Sequence, residues 1–211
     1  MSDKEIIKRV VEGEVAFYEI LVRRFNPVLY KVGRSYNFNH QDTEDLMQEA
    51  FIDAFLNLKK FQFRASFKTW ISTIMLNNCY HKRNKLRASN EYIKTREDHK
   101  ESIDRTTSND VEERMRSSEL NRIVEQALLN IPLEYRLVFT MRQANGFSTS
   151  EVAELLSITE NNVKVRLNRA KTKLRKEIEK NYKMDELFEF NLIHCDPMVE
   201  RVMQRINKIK G

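Results

Sequence analysis

The sequence predicts an all-α protein of two small helical domains joined by a flexible linker, the second containing a helix-turn-helix. Apolar residues recur at helical spacing through most of the 211 residues. Only four Gly and three Pro occur, so the chain lacks the turn residues that an all-β fold requires. Hydrophobic residues make up 41% and charged residues 32% of the chain, which allows two helical cores with polar surfaces.

The first domain is predicted at residues 1–85. An apolar stripe over residues 15–25 predicts a helix that ends before Pro27, since proline is well suited to the first turn of a new helix. A third helix is predicted from about Asp42 to Lys60. After a short loop, a fourth helix is predicted from about Phe67 to Lys85.

Residues 86–118 are polar and charged, which predicts a flexible linker because they cannot bury enough apolar surface to fold alone. Helical periodicity returns in residues 119–182, the predicted second domain, in which Pro132 opens a helix. Residues 183–211 form a C-terminal helical extension with an apolar cluster. The extension is either a strap that packs on the second domain or a docking surface for a regulator. The cluster consists of Leu187, Phe188, Phe190, Leu192 and Ile193.

The helix-turn-helix is predicted from its capping residues. Ser148 and Glu151 have the spacing of a capping box, and Thr159 is placed to cap the second helix. Ser157 stands in the turn, where glycine is common. Residues 159–180 contain eight Lys or Arg and three Glu, a local charge of 8 − 3 = +5. The second helix is therefore either a solvated basic face or a recognition helix for the DNA major groove, and the capped helix before it favours DNA.

The first domain contains an acidic segment followed by an aromatic and basic one. Residues 40–49 contain four carboxylates and no Lys or Arg; the helix dipole alone explains two of them, Asp42 and Glu44. Residues 61–71 alternate aromatic with basic and small polar side chains, a pattern typical of contacts to unpaired bases. The alternative is that Phe61, Phe67 and Trp70 are core residues, and for Phe67 and Trp70 we favour a place in the core. Four cations in six residues, without a carboxylate, indicate an anionic neighbour: Lys82, Arg83, Lys85 and Arg87.

Several other classes of protein are disfavoured. Cys79 and Cys195 lie in unrelated contexts without metal-ligand spacing, so we expect reduced thiols, no metal and no cofactor. No apolar run approaches the roughly 18 residues of a membrane span, and no signal-peptide core is found. We therefore expect a cytoplasmic protein without membrane insertion. No nucleophile–base pair or phosphate loop is found either, so we expect no catalytic residues.

Together these motifs resemble those of bacterial sigma-70 family factors. The segments Asp42–Phe51 and Phe67–Ile71, with Asn77, are similar to the region 2 pattern. Ile131–Arg136, followed by the helix-turn-helix, is similar to region 4. With two domains and a short linker, the chain resembles the extracytoplasmic-function (ECF) group, and the resemblance spans about residues 10–182.

The resemblance implies a monomeric promoter-specificity subunit that binds core RNA polymerase, promoter DNA and an anti-sigma factor. The residues implied in binding the clamp helices of the polymerase's largest subunit are Asp45, Leu46, Gln48 and Glu49. Those implied in minus-ten recognition are Phe61, Phe63, Arg64, Ser66, Lys68, Asn77, Lys82 and Arg83. Those implied in minus-thirty-five recognition are Lys164, Arg166, Asn168, Arg169 and Lys171.

The sequence departs from the family pattern at Ser157, at residues 160–162 and at residues 79–81, and two alternatives to the resemblance stay open. Ser157 replaces the usual turn glycine, and residues 160–162 replace the small residues common at the start of the recognition helix. A homodimeric helix-turn-helix regulator is the principal alternative, although it leaves the acidic helix without a purpose. A nuclease is the second alternative, with the acidic helix as its only candidate for a catalytic cluster.

Overall fold

The computed structural model describes residues 1–93, 113–181, 198–199 and 201–203. All regular secondary structure in these ranges is helical, which confirms the predicted fold class. The α-helices are α1 (Asp3–Val11), α2 (Tyr18–Ser35), α3 (His40–Leu56), α4 (Phe67–Ile93), α5 (Glu113–Asn130), α6 (Leu133–Phe139), α7 (Thr149–Leu155) and α8 (Glu160–Asn181). Short 3₁₀ turns lie at Val15–Phe17 and Leu58–Lys60, and a π-helical turn, Thr140–Ala144, follows α6.

The chain divides into two units, Met1–Leu174 and Arg175–Gly211. Met1–Leu174 is compact and contains α1 to α7 and most of α8. In Arg175–Gly211, the described residues are the end of α8 and helical residues at 198–199 and 201–203. The apolar cluster predicted at residues 187–193 lies outside the described residues.

The first helix, α1, is a feature that was not predicted from the sequence. Ser2 caps it by accepting a hydrogen bond of 3.3 Å from the Glu5 backbone N–H. Ile6, Ile7 and Val10 are all buried. Their i, i+1, i+4 spacing is a helical signal, so α1 was predictable from the sequence.

The predicted break at Pro27 is wrong, because α2 runs through it from Tyr18 to Ser35. Leu21, Phe25 and Leu29 are buried at four-residue intervals, so the apolar face keeps its register across the proline. Proline removes one backbone hydrogen bond. Burial of this continuous face outweighs that loss and keeps the helix intact.

Two other helix ends also differ from the predictions. α3 ends at Leu56 rather than near Lys60, because the 3₁₀ turn follows it. α4 continues from Phe67 to Ile93, beyond the predicted end at Lys85. No Gly or Pro occurs in α4, so nothing in its sequence breaks the helix.

The predicted linker, residues 86–118, is helical at both ends where the structure describes it: through Ile93 and from Glu113 onward. Residues 94–112 lie outside the described residues.

The core of the first half is formed by α2, α3 and α4. Leu46, Ala50 and Ala54 of α3 and Ile71 and Met75 of α4 are all buried. A Cβ placed on Gly33 of α2 would lie 2.6 Å from Thr43 Cγ2, so the absence of a side chain there lets α2 and α3 approach closely. This approach fixes the position of α3, which carries the acidic segment.

Candidate nucleic-acid and partner interfaces

The acidic segment forms the N-terminal half of α3, where Asn39 caps the helix by accepting a hydrogen bond of 2.7 Å from the Asp42 backbone N–H. Asp45, Gln48 and Glu49 are exposed, and Gln41 Nε2 donates a hydrogen bond of 3.1 Å to Asp45 Oδ1. Leu46 differs from the other predicted polymerase-binding residues, since it is only 3% exposed. Its side chain belongs to the core, and the three polar side chains are presented to solvent.

An open, mainly apolar groove of about 620 Å³ lies beside this face, between α2 and α3. Its lining includes Gln48 of the acidic face and the exposed apolar side chains of Val15 and Ile52. Tyr18 also lines it and donates a hydrogen bond of 2.7 Å to the Phe51 carbonyl oxygen. Burial raises the pKa of Tyr18 above its usual range, so the phenol remains a neutral donor.

The loop before α4 contains a cluster of aromatic rings. The Phe61 ring centroid lies 4.7 Å from that of Phe63 and 4.8 Å from that of Trp70. Phe63 is 45% exposed and has φ +56°, a conformation that bulky residues rarely adopt. Arg64 and Ser66 are also exposed, and Ser66 Oγ accepts a hydrogen bond of 3.0 Å from the Thr69 backbone N–H. The loop thus holds an aromatic ring in solvent at a strained backbone position, which is typical of functional sites.

The other predicted minus-ten residues lie along α4, where Asn77 is exposed and Arg83 is half-buried. Lys82 Nζ forms an ion pair of 2.6 Å with Asp42 Oδ1. The anionic neighbour of this cation is therefore within the chain itself. Lys85 and Arg87 are exposed.

The helix-turn-helix is formed by α7 and α8, and the predicted capping box is present. Ser148 Oγ accepts a hydrogen bond of 3.1 Å from the Glu151 backbone N–H, and Glu151 Oε2 accepts one of 2.8 Å from the Ser148 backbone N–H. The Ser148 backbone bond is the main cause that lowers the pKa of Glu151. Thr159 caps α8 as predicted, and Ser157 has φ +52°, the left-handed conformation that glycine adopts without strain.

The basic face of α8 lies on the outside of the helix. Val163 and Ala170 are fully buried, as their spacing predicted. Arg166 is half-buried, and its Nε donates a hydrogen bond of 3.0 Å to Asn162 Oδ1. The other predicted minus-thirty-five residues are exposed: Lys164, Asn168, Arg169 and Lys171.

A contact between the two halves of Met1–Leu174 was not foreseen from the sequence. We call it the seam; it joins α2 and α4 to the segment from α6 to α7. Its polar and cation–π contacts involve side chains, backbone carbonyl groups and one aromatic ring. The residues that take part are Val28, Lys31, Ser35, Lys68, Thr69, Arg136, Ala144, Asn145, Phe147 and Glu151. Lys68, predicted to bind minus-ten DNA, is one of them: its Nζ donates to the Asn145 carbonyl oxygen and lies 4.1 Å from the centroid of the Phe147 ring. Burial lowers the pKa of Lys68.

No group of three or more side chains suited to holding a metal ion is found in the described ranges. None of the described helices combines the length and apolar character that crossing a membrane requires.

Comparison with known proteins places both halves in one family. The Sigma-70 region 2 model matches residues 21–89, and the Sigma-70, region 4 model matches residues 121–174. The ECF RNA polymerase sigma-E factor of Haemophilus influenzae is 29% identical over 185 residues, which cover 85% of this chain and 96% of that protein. The ECF RNA polymerase sigma factor SigW of Bacillus subtilis is 27% identical over 183 residues, covering 84% of this chain and 97% of SigW.

Two solved structures share the fold. CnrH, in complex with the cytosolic domain of CnrY, superposes with a TM-score of 0.61 at 22% identity over 85% of this chain and 99% of CnrH. The sigma factor RpoE, in complex with the anti-sigma factor NepR from Bartonella quintana, gives a TM-score of 0.59 at 19% identity over 81% of this chain and 98% of RpoE. The two family models match regions 2 and 4, and the sigma-E factor and SigW match over almost their whole length. The chain therefore belongs to the sigma-70 family as a member of its extracytoplasmic-function group.

Proposed function

We propose that this chain is a promoter-specificity subunit that binds core RNA polymerase, recognises minus-thirty-five and minus-ten elements, and promotes strand opening without catalysis of its own. The observation that carries the proposal is that one chain presents an exposed acidic face on α3 and an exposed basic face on α8. The first suits a protein partner with positive charge, and the second suits DNA phosphates and base edges.

The polymerase-binding surface in this proposal is the exposed side of α3. Asp45, Gln48 and Glu49 contact the clamp helices of the largest subunit, and the buried Leu46 holds the helix in position. The apolar groove beside Gln48 gives the same partner a surface on which to bury its own apolar side chains.

Minus-ten recognition in this proposal uses the loop before α4 together with one exposed and three half-buried side chains of α4. Phe61 and Phe63 receive an unpaired base, while Arg64 and Ser66 border the pocket. Lys68, Asn77, Lys82 and Arg83 hold the opened strand. To bind it, Lys68 has to exchange the Asn145 carbonyl oxygen for DNA, and Lys82 has to exchange Asp42. Unpairing a base costs a few kcal/mol, and stacking on an aromatic ring returns about 1–3 kcal/mol, so the exposed ring of Phe63 offsets much of the cost.

Minus-thirty-five recognition is assigned to α8 in the major groove. Lys164, Arg169 and Lys171 are exposed cations suited to phosphates or guanine edges. Asn168 is exposed and has the amide that pairs with adenine. To contact DNA through Nε, the Arg166 side chain has to give up its hydrogen bond to Asn162 Oδ1.

The two DNA contacts reinforce each other once polymerase fixes the distance between the domains. Each domain alone binds duplex DNA weakly and with strong salt dependence, because phosphates dominate the contact. Binding of one element raises the effective concentration of the second domain at the other element. Promoter selection therefore requires both elements at one spacing.

We also propose an anti-sigma factor as a regulatory partner and the cytoplasm as the place of action, since the polymerase works there. The exposed apolar groove between α2 and α3 supports a protein partner. An anti-sigma factor that covers it also blocks the adjacent acidic face.

Run-off transcription tests the proposal. Core polymerase and fragmented genomic DNA from the organism that encodes the chain are incubated with and without the chain, and transcript 5′ ends are mapped. We expect a discrete set of start sites that appears only with the chain and shares sequence at two upstream positions. Failure to direct any initiation would refute the proposal, and a dimer in sedimentation would favour the homodimeric regulator.

A further inference from the structure

One exposed apolar side chain lies on the basic helix α8 and is not among the residues proposed to bind DNA. Val165 is 38% exposed and stands between Lys164 and Arg166 in the sequence. Single exposed apolar side chains are common on protein surfaces, so exposure alone does not mark a site. Valine also has a lower helix propensity than the lysine and arginine beside it, so helix stability does not favour it here.

Val165 lies in the part of α8 that a recognition helix presents to base edges. The helix begins at Glu160, and Thr159 caps it by accepting a hydrogen bond of 3.2 Å from the Asn162 backbone N–H. Val165 is therefore in the second turn. In a helix-turn-helix the N-terminal residues of the second helix contact the bases in the major groove.

The charge of α8 is distributed in the same sense. Residues 160–165 contain one Glu and one Lys, whereas residues 166–176 contain six Lys or Arg and no carboxylate. Cationic side chains suit phosphates, which position a protein on DNA without reading its sequence. The strong positive charge therefore begins after Val165, and the first turns carry side chains suited to base edges.

Two exposed amides lie on the same face of α8 as Val165. Asn161, Val165 and Asn168 follow one another at intervals of four and three residues, which places them on one side of the helix, and all three are exposed. Arg166 lies beside this face, with its Nε donating a hydrogen bond of 3.0 Å to Asn162 Oδ1. The exposed face of the first turns therefore presents an apolar group between two amides.

This combination matches an A·T base pair. In the major groove adenine presents N6 and N7, which an asparagine amide binds, and thymine presents its C5-methyl group, which an apolar side chain contacts. Asn161 and Val165 are separated by about 6 Å along the helix axis, and base pairs are stacked about 3.4 Å apart. The two side chains therefore reach base pairs about two steps apart.

We propose that Val165 is a specificity-determining residue for the minus-thirty-five element: its side chain contacts the C5-methyl group of a thymine, beside an adenine bound by Asn161 or Asn168. The inference rests on the proposed function, because it requires α8 in the major groove of the promoter. Cytosine at the same place presents an amino group and no methyl group, so the valine discriminates against it.

Replacing thymine by uracil tests the contact, because uracil pairs with adenine and lacks only the C5-methyl group. The probe is a promoter found by run-off transcription, in which each thymine of the minus-thirty-five element is replaced in turn by deoxyuridine. Modified and unmodified promoters compete for the full chain bound to core polymerase. We expect one position at which uracil weakens binding about fourfold, the effect of losing one buried methyl group.

A substitution in the protein links that thymine to Val165. Val165→Ala removes both methyl groups of an exposed side chain, so the fold and co-purification with core polymerase are retained. We expect it to bind the unmodified promoter about fourfold more weakly than wild type does and to lose nothing further with uracil at the sensitive position. Val11→Ala is the matched control, because Val11 ends α1 and is also 38% exposed. It is expected to behave as wild type on both promoters.

The outcomes separate the inference from the proposed function. A minus-thirty-five element without thymine overturns the inference, and so does an element in which no uracil weakens binding. An equal effect of uracil on wild type and on Val165→Ala assigns the methyl group to another residue or to duplex shape, and also overturns it. In each case promoter-specific initiation continues, so the proposed function stands. If the chain directs no initiation, the proposed function fails, and with it the inference.

Discussion

Lys82 of α4 and Asp42 of α3 form an ion pair of 2.6 Å, with 26% and 36% of their side chains exposed. The pair joins the helix proposed to hold DNA to the first turn of the helix proposed to hold polymerase. We expect a coupling of about 0.5–1 kcal/mol, because partly exposed pairs are weakened by solvent. A double-mutant cycle with Lys82→Met and Asp42→Asn, followed by urea unfolding, measures it. Lys85→Met is the control, since Lys85 is exposed; a coupling of zero contradicts the pairing.

Gly33→Ala is expected to destabilise the protein by about 1–3 kcal/mol, because the new methyl group would lie 2.6 Å from Thr43 Cγ2. Adding Thr43→Ser removes that carbon and keeps the hydroxyl that donates to the Asn39 carbonyl oxygen at 2.7 Å. Chemical denaturation should therefore show partial recovery in the double variant. Equal stability of Gly33→Ala and wild type would show that α2 and α3 separate easily.

Ser157→Gly is expected to stabilise the protein by about 0.5–1 kcal/mol. The left-handed conformation at φ +52° costs a residue with a side chain roughly 1–2 kcal/mol, and the greater flexibility of glycine in the unfolded chain offsets part of that gain. Ser157→Ala keeps the strain and serves as the control. Thermal denaturation distinguishes them, and a glycine variant no more stable than the alanine variant contradicts the expectation.

Asp45→Arg together with Gln48→Ala is expected to abolish co-purification with core polymerase while leaving the fold intact. Both residues are exposed, so the change reverses surface charge without disturbing the core. Glu12→Arg makes the same charge reversal at an exposed position far along the sequence from α3 and is expected to bind normally. Circular dichroism checks folding in each case. Unchanged co-purification of the double variant would remove Asp45 and Gln48 from the polymerase surface.

Arg169→Ala is expected to weaken minus-thirty-five contact by about 1–3 kcal/mol while the polymerase complex still forms. Arg175→Ala is the matched control on the same helix, because Arg175 is paired with Glu179 at 2.6 Å. Footprinting of the promoter complex measures protection of the minus-thirty-five element in each variant. Protection of the minus-thirty-five element that is equal in the two variants would assign its recognition to other residues of α8.

Local signals in the sequence were sufficient for α7 and α8, where Ser148, Glu151 and Thr159 cap the helices as predicted. They were misleading at Pro27, where the prediction gave the proline more weight than the apolar spacing that continues to Leu29. In the structure the helix continues through the proline. The lesson is that burial of a continuous face decides over a single helix breaker.

The seam could not be predicted for a different reason. Lys31, Lys68 and Arg136 donate across it to backbone carbonyl oxygens, which every residue possesses. The residue types in the sequence therefore do not show which carbonyl oxygens accept these hydrogen bonds. The backbone strain at Phe63 could not be predicted from the sequence either, because its positive φ is a property of the folded loop.

Leu46 lies between Asp45 and Glu49 in the sequence, yet it is 3% exposed. Truncating such a leucine costs about 2–5 kcal/mol, a large part of the total stability of a small domain. If Asp45 binds polymerase as proposed, genetic selections for lost transcription will recover changes at both Leu46 and Asp45. In cells, Leu46 variants are degraded because they unfold more often, so the amount of the protein falls. Asp45 variants stay folded and are present in normal amounts. Immunoblots of cell extracts therefore separate the two classes.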